Sequence, residues 1–278
     1  MARIVLFGAV LLMVLGAGEA MAQSSTAPSQ TGTPAATGML PARVEVGGYG
    51  SWADNGYGFW RGATAEVWLA RNRRFIPAFF FDSQTRPAGT QQNYAFLSYM
   101  NWSKSFYTVQ GVSGAPQRSD EAIYFPKIRY DVKGYWKLPP EKNFVLAAGY
   151  THFDLGVPGH GQIYNAGALY YHKKCVVEAN LYANQSQPGD FWSASGSLSV
   201  QYGMEGKYWF GVTASGGREL YRVEGLTPYD VRSMSYTLDL FYRRWITRHV
   251  GFTLGLIYQD KLEVYRRAGV SGKLFYEY

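Results

Sequence analysis

Apolar and polar residues alternate with a period of two through most of the chain. The clearest stretch is Ile128 to Leu138. Ile128, Tyr130, Val132, Gly134, Trp136 and Leu138 fall on one face, and Arg129, Asp131, Lys133, Tyr135 and Lys137 on the other. Successive side chains of a strand point to opposite sides, so this is the pattern of a strand with one apolar and one polar face. Cys175 to Asn184 repeats it, with Cys175, Val177, Ala179, Leu181 and Ala183 opposite Val176, Glu178, Asn180, Tyr182 and Asn184. Met234 to Arg243, Trp192 to Tyr202 and Phe252 to Tyr258 do the same.

About fourteen such segments follow one another, at 43–52, 57–71, 75–84, 93–103, 105–113, 127–138, 144–154, 162–173, 175–185, 191–203, 207–217, 231–245, 249–261 and 265–278. Twelve is the alternative count, if the first hairpin or the weakly patterned 91–113 region is misread. A tilted strand crosses a bilayer in about 9–11 residues, and these are long enough. After the first two dozen residues no run of about 18 apolar residues occurs, so no transmembrane helix is on offer. A soluble sheet pair would need a separate core, whereas here an apolar face recurs in nearly every segment. The fold predicted is all-β: an antiparallel transmembrane β-barrel over 43–278.

The connections support this independently. Short turns fall at Asn72 to Arg74, Ser103-Lys104, Pro139 to Asn143, Lys173-Lys174, Gly203 to Gly206 and Thr247-Arg248. Longer links fall near Gln84 to Gln92, Gly114 to Pro126, Leu155 to Gly161 and Gly217 to Asp230. Bacterial barrels have short periplasmic turns and longer outer loops, and an even strand count leaves both ends of the barrel in the periplasm. Residues 1–22 read as a secretory signal, with Arg3, an apolar run from Ile4 to Ala17 and Ala20-Met21-Ala22 as the cleavage site. Residues 23–42, rich in Ser, Thr, Ala, Pro and Gly, read as a disordered leader. The location expected is therefore the outer membrane of a Gram-negative cell.

Composition adds weight. Aromatics make up 17% of the chain, with 23 Tyr and 8 Trp. The net charge of +7 would suggest nucleic acid for a cytoplasmic protein. Export removes that partner and leaves anionic lipid or saccharide. The single Cys175 excludes an intramolecular disulfide framework and reads as a small buried hydrophobe.

The last segment ends on an aromatic, with Leu274, Tyr276 and Tyr278 on its outward face. These three form the expected signal for the barrel-assembly machinery. The closing pattern Tyr242-Arg243-Arg244, Leu254-Gly255-Leu256, Arg266-Arg267 and Tyr276-Glu277-Tyr278, with the strand rhythm over 43–278, resembles the YaiO family of outer-membrane barrels. That resemblance implies a role in exopolysaccharide secretion and supplies no catalytic residues.

The candidate functional surface is the inner face. Glu45, Glu66, Arg129, Asp131, Lys133, Glu178, Asp239, Arg243, Lys273 and Glu277 are expected in the lumen, with Trp68, Tyr135, Tyr182 and Trp209 as stacking surfaces for sugar rings. They would either line a wet pore or pair across a crowded lumen and seal it. The short turns carry Arg73, Arg74, Lys104, Lys173, Lys174 and Arg248, with Arg71, Lys142, Lys207 and Arg244 nearby. Such a basic periplasmic rim can concentrate an anionic polymer or a secretion partner, or simply meet lipid phosphates. Tyr150-Thr151-His152-Phe153-Asp154-Leu155-Gly156 has the histidine of an outer-membrane phospholipase, but Asp154 stands where a nucleophilic hydroxyl is needed. His160, His172 and His249 have no metal-ligand spacing. The expectation is a monomeric barrel without enzyme activity, cofactor or metal, acting in saccharide export. The alternatives are a non-conducting structural or adhesion barrel and a lipid-modifying enzyme.

Overall fold

The computed structural model describes residues 42–70, 74–116, 124–140, 142–156, 159–187, 189–218, 222–224, 227–229 and 234–278. The segments predicted as signal (1–22) and leader (23–42, all but Ala42), and Arg71 and Arg73 of the basic turns, lie outside them. The strands are β1 (Ala42–Ala53), β2 (Gly58–Leu69), β3 (Phe75–Arg86), β4 (Gly89–Asn101), β5 (Phe106–Gly114), β6 (Ile128–Lys137), β7 (Phe144–Asp154) and β8 (His160–His172). They continue with β9 (Cys175–Gln187), β10 (Phe191–Met204), β11 (Tyr208–Arg218), β12 (Arg222–Glu224), β13 (Thr227–Tyr229), β14 (Met234–Trp245), β15 (Val250–Lys261) and β16 (Tyr265–Glu277). All but β12 and β13 form one closed antiparallel barrel of fourteen strands, each paired with its chain neighbours. Closure comes from β1 against β16, in register from Arg43↔Glu277 to Ala53↔Arg267. In hydrocarbon an unpaired strand edge has no water to satisfy it, so closure is a requirement of the environment.

Each segment predicted from alternation is one barrel strand, and the alternation sorts the residues. Val46, Leu181, Leu198, Leu254, Leu256, Val270 and Leu274 point outward and are exposed. Around this aliphatic band, Trp52, Trp192, Tyr236 and Tyr258 ring one end; Trp102, Trp136, Tyr170, Tyr202 and Tyr276 ring the other. Paired aromatic girdles around an apolar band are the outer surface of a membrane barrel.

Three readings need correction. The polar run Gln84 to Gln92 is not a long link. β3 and β4 stay paired to Arg86↔Gly89 and turn at Pro87-Ala88. Above the apolar band both strand faces meet polar surroundings, so alternation fades while the hydrogen-bond ladder continues. The link after β11 contains the hairpin β12–β13, whose strands are too short to carry a pattern. Cys175 is half-buried, opening β9 on the outward face, because its parity is that of Leu181.

β2, β4, β6, β8, β10 and β14 end, and the strands that follow them begin, on the side where β1 begins and β16 stops. β5 and β11, which precede the two long connections, end on the opposite side.

Candidate functional site

The ten charged residues predicted for the lumen all lie on inward-facing strand positions. One network spans the wall from β14 through β16 and β1 to β3. Arg243 donates to Glu45 at 2.6 Å, and Arg43 Nε lies 2.8 Å from the same carboxylate. Arg43 also lies 3.9 Å from Glu277. Lys273 donates to Glu66. Tyr49 donates to Asp82 at 3.1 Å. A second network joins β6 to β9: Lys133 lies 3.4 Å from Glu178 and donates to Asn180 at 2.9 Å. Beside it Arg129 pairs with Asp131 at 2.7 Å, and Thr151 donates to Asp131 at 2.6 Å. Asp239 faces inward on β14, half-buried. Glu45, Glu66, Asp82 and Glu178 are 1%, 3%, 0% and 3% exposed, so these carboxylates are withdrawn from water and held by their partners.

Three of these links, Tyr49–Asp82, Lys273–Glu66 and Lys133–Glu178, join strands that are not neighbours, and inward glycines make room for them. Tyr49 on β1 crosses β2 to reach Asp82 on β3, and a Cβ at Gly62 would fall within the Tyr49 ring. The stem of Lys273 lies against Gly47 on its way from β16 over β1 to Glu66. Lys133 passes Gly149, whose Cβ would sit 3.1 Å from Lys133 Cγ, and meets Asn180 over Gly167. Sequence reading missed Arg43, Tyr49 and Asp82 as members. The parity of β1 and β3 was the available signal, because each sits an even number of residues from Glu45 or from buried Phe80.

Toward the end where β1 begins, the inner face becomes aromatic. Ile76, Leu97, Tyr99, Tyr107, Tyr135 and Leu169 form one buried cluster, and Val176, Trp209, Trp245 and Phe275 a second. Tyr171 touches both, and Trp68 packs on the first. The indoles of Trp209 and Trp245 donate to Glu205 at 3.1 Å and Glu277 at 3.2 Å. Arg243 lies over Phe275 at 4.2 Å and Trp245 at 5.2 Å. Glu205 belongs to the turn outside the membrane span; burial pushes its carboxyl above the usual range, against the pull of Arg243.

At the opposite mouth Arg86 lies between Trp60 and Tyr124, 4.5 and 4.2 Å from their ring centres. The backbone N–H groups of Tyr124 and Phe125 donate to Gln91 Oε1 at 2.6 and 2.8 Å. The last residues of the β5–β6 connection are thus buried against the inner wall.

The inner faces of β8–β11 differ from both. Asn180, Asn184, Ser195, Ser199 and Gln201 are buried, whereas Ser193, Ser197, Thr213 and Ser215 remain partly exposed. Apart from Glu178 the side chains here are uncharged, and part of this wall stays in contact with solvent. Tyr182 belongs to it, with its hydroxyl 3.4 Å from Ser197 Oγ.

The remaining candidates are dispersed. Arg74, Lys104, Lys173, Lys174 and Arg248 are exposed at the end where β1 begins, as are Lys207 and Arg244, and Lys142 is half-buried there. Leu274, Tyr276 and Tyr278 face outward on or beside β16. Asp154 Oδ1 accepts the Gly156 N–H at 2.7 Å, so it caps the turn after β7. His152 stands on the outward face, with its ring 6.2 Å from that of His160.

A closed fourteen-stranded barrel with an aliphatic outer band, two aromatic girdles and polar groups turned inward is an integral outer-membrane barrel. The model of the YaiO membrane beta barrel domain matches residues 42–222, and the chain belongs to that family. Among solved structures it is similar to a bacterial polysaccharide outer membrane secretin, at 7% identity and TM-score 0.55, covering 86% of this chain and 99% of that one. It is also similar to the CymD monoaromatic hydrocarbon channel, at 8% identity and TM-score 0.59, over 86% of this chain and 89% of that one. A TodX deltaS2S3 mutant channel matches at 9% identity and TM-score 0.59, over 86% and 91%. These likenesses establish the fold alone. No curated protein matches the sequence.

Proposed function

We propose that this barrel is a narrow, gated conduit for saccharide polymer across the outer membrane, with no chemistry of its own. The observation that carries the reading is the division of the inner surface. One wall is filled by paired charges and rings; the other offers small hydroxyl and amide groups in partial contact with solvent. Sugars are bound by hydrogen bonds to their hydroxyls, and the partly exposed Ser193, Ser197, Thr213 and Ser215 supply partners for them. The fold shared with a polysaccharide secretin is consistent with this use.

In this reading the end where β1 begins faces the periplasm, and its basic turns gather polymer or a periplasmic partner, while lipid phosphates meet those that point outward. Leu274, Tyr276 and Tyr278 act earlier, as the strand the assembly machinery engages. The barrel works as a monomer in outer-membrane lipid. A second reading, a non-conducting structural barrel, is favoured by the burial of Glu45, Glu66 and Glu178, which pair instead of lining a wet pore.

Planar-bilayer recording separates the two. The conduit reading expects brief, small conductance steps that lengthen when Arg243→Ser and Lys273→Ser loosen the charged wall. Complete silence of wild type and variants, with and without saccharide, counts for the structural reading.

A further inference from the structure

Toward the side where β1 begins, the inner face of the barrel is filled all the way round. The members of the two buried clusters that lie within three residues of their strand's end there, Tyr107, Tyr135 and Leu169 among them, are none more than 9% exposed. They come from β3 to β9, β11, β14 and β16. The other four strands complete the turn. On β10 Gln201 is 3% exposed, and the next inward position, Gly203, is covered by the indole of Trp209. On β15 the ring of Phe275 lies over Gly251. On β1 and β2 Arg43 lies over Trp68 at 5.5 Å, and Trp68 packs on the first cluster. Tyr171 packs on both clusters and joins them.

A side chain that rings an open pore shows one flank to the water inside it. A full turn of inward side chains with almost no exposure therefore meets across the axis. Beyond this layer the wall is wet: Ser197, Ser215 and Ser271 are partly exposed, and the Asp131 side chain is 26% exposed. The lumen is thus shut on the side where β1 begins. The two clusters meet at Tyr171 by ring and apolar contact, and Tyr107 stacks on Tyr135 at 4.5 Å. Such contacts part by side-chain rotation, whereas opening the charged wall would strand buried carboxylates such as Glu45 and Glu178. An apolar constriction conducts only when it wets.

We infer that this aromatic layer is the gate of the conduit, with Tyr171 as the movable joint between its two halves. Its parting is the brief opening that the conduit reading expects: side chains swing toward the wall and water enters between them. A polar group placed in the layer favours the wet state, because it lacks water only while the layer is shut. This rests on the conduit reading above and adds where the passage is shut and by what.

Planar-bilayer recording of the full chain tests it. Val176→Thr and Leu169→Asn keep the size of the side chain and add a group that water satisfies once the layer parts; each should lengthen openings about tenfold, the scale set by one buried polar group. Tyr171→Ala, which leaves a gap where the clusters join, should enlarge the conductance step. Arg86→Met and Tyr124→Ala alter the opposite mouth and should leave dwell times as in wild type. Folding of each variant is checked by its heat-shifted mobility on gels, and Val176→Thr is the mildest of the set. If the mouth variants lengthen openings and the layer variants do not, the passage is shut at the other end, and the gate is overturned while the conduit stands. Unchanged openings in all three folded layer variants overturn it in the same way. If wild type and every folded variant stay silent, the conduit reading falls and the gate falls with it.

Discussion

Replacing Gly62 by alanine tests whether the lumen is built by side chains that cross glycine gaps. The alanine Cβ would sit 2.5 Å from Tyr49 Cε1 and nearer still to Cζ and Oη. The ring cannot stay, and Tyr49 loses its 3.1 Å bond to Asp82, a carboxylate with no exposure to water. Overpacking of this kind costs about 1–3 kcal/mol. Leaving a buried polar group without its partner costs about 1–3 kcal/mol more. Gly62→Ala should therefore lose about 2–6 kcal/mol. Gly272→Ala is the control: its Cβ would meet only Leu254 Cδ2 at 3.8 Å, so the change should stay within about 0.5 kcal/mol of wild type. Urea unfolding of the barrel in phospholipid vesicles, followed by tryptophan fluorescence, measures both. In a Tyr49→Ala background the space is vacated, so adding Gly62→Ala should cost little and the cycle should show coupling of at least about 1 kcal/mol. Equal stability of Gly62→Ala and Gly272→Ala, or strict additivity with Tyr49→Ala, would refute the crossing geometry.

Other consequences follow from the same wall. Glu178→Ala strands the Lys133 ammonium and should cost about 3–5 kcal/mol, whereas Lys133→Met with Glu178→Leu should restore most of it; the same urea assay reads both. Leu256→Arg puts a charge in the aliphatic band and should destabilise the barrel by about 2–4 kcal/mol in vesicles. Glu205 holds its proton more tightly when folded than when unfolded, because burial raises its carboxyl. Stability should therefore fall as pH rises from the ordinary glutamate range through the raised value, and Glu205→Gln should remove that part of the slope in an unfolding series over pH. Tyr278→Asp should slow appearance of the folded, heat-shifted band when the assembly machinery is supplied in proteoliposomes, with little effect on urea stability once folded.

Much of the architecture was legible because one face of every strand meets lipid. Ile128 to Leu138 shows it: the residues assigned to the apolar face are those that point outward, from Tyr130 to Trp136. Alternation fails as a guide where that contrast ends, which is why 84–92 read as a loop although β3 and β4 run on to Pro87-Ala88. Parity likewise put Glu45, Lys133, Arg243 and Lys273 in the lumen. Their partners were not legible, because Arg243 reaches Glu45 from β14 to β1 and only the closed barrel brings those strands near. The glycines at 47, 62, 149 and 167 were informative in hindsight: an inward glycine marks where a neighbour's side chain crosses. Asn184 of β9 and Gln201 of β10 read as ordinary polar-face positions, and their near-complete burial is a property of the assembled wall.

The central claim is that saccharide passes through this lumen, and flux measures it most directly. Proteoliposomes containing the full chain and loaded with fluorescently labelled maltohexaose should release the sugar faster than protein-free vesicles, with Ser197→Phe returning release to the background rate. Retention of the sugar at the background rate by wild type and by the loosened variants Arg243→Ser and Lys273→Ser alike would contradict the account.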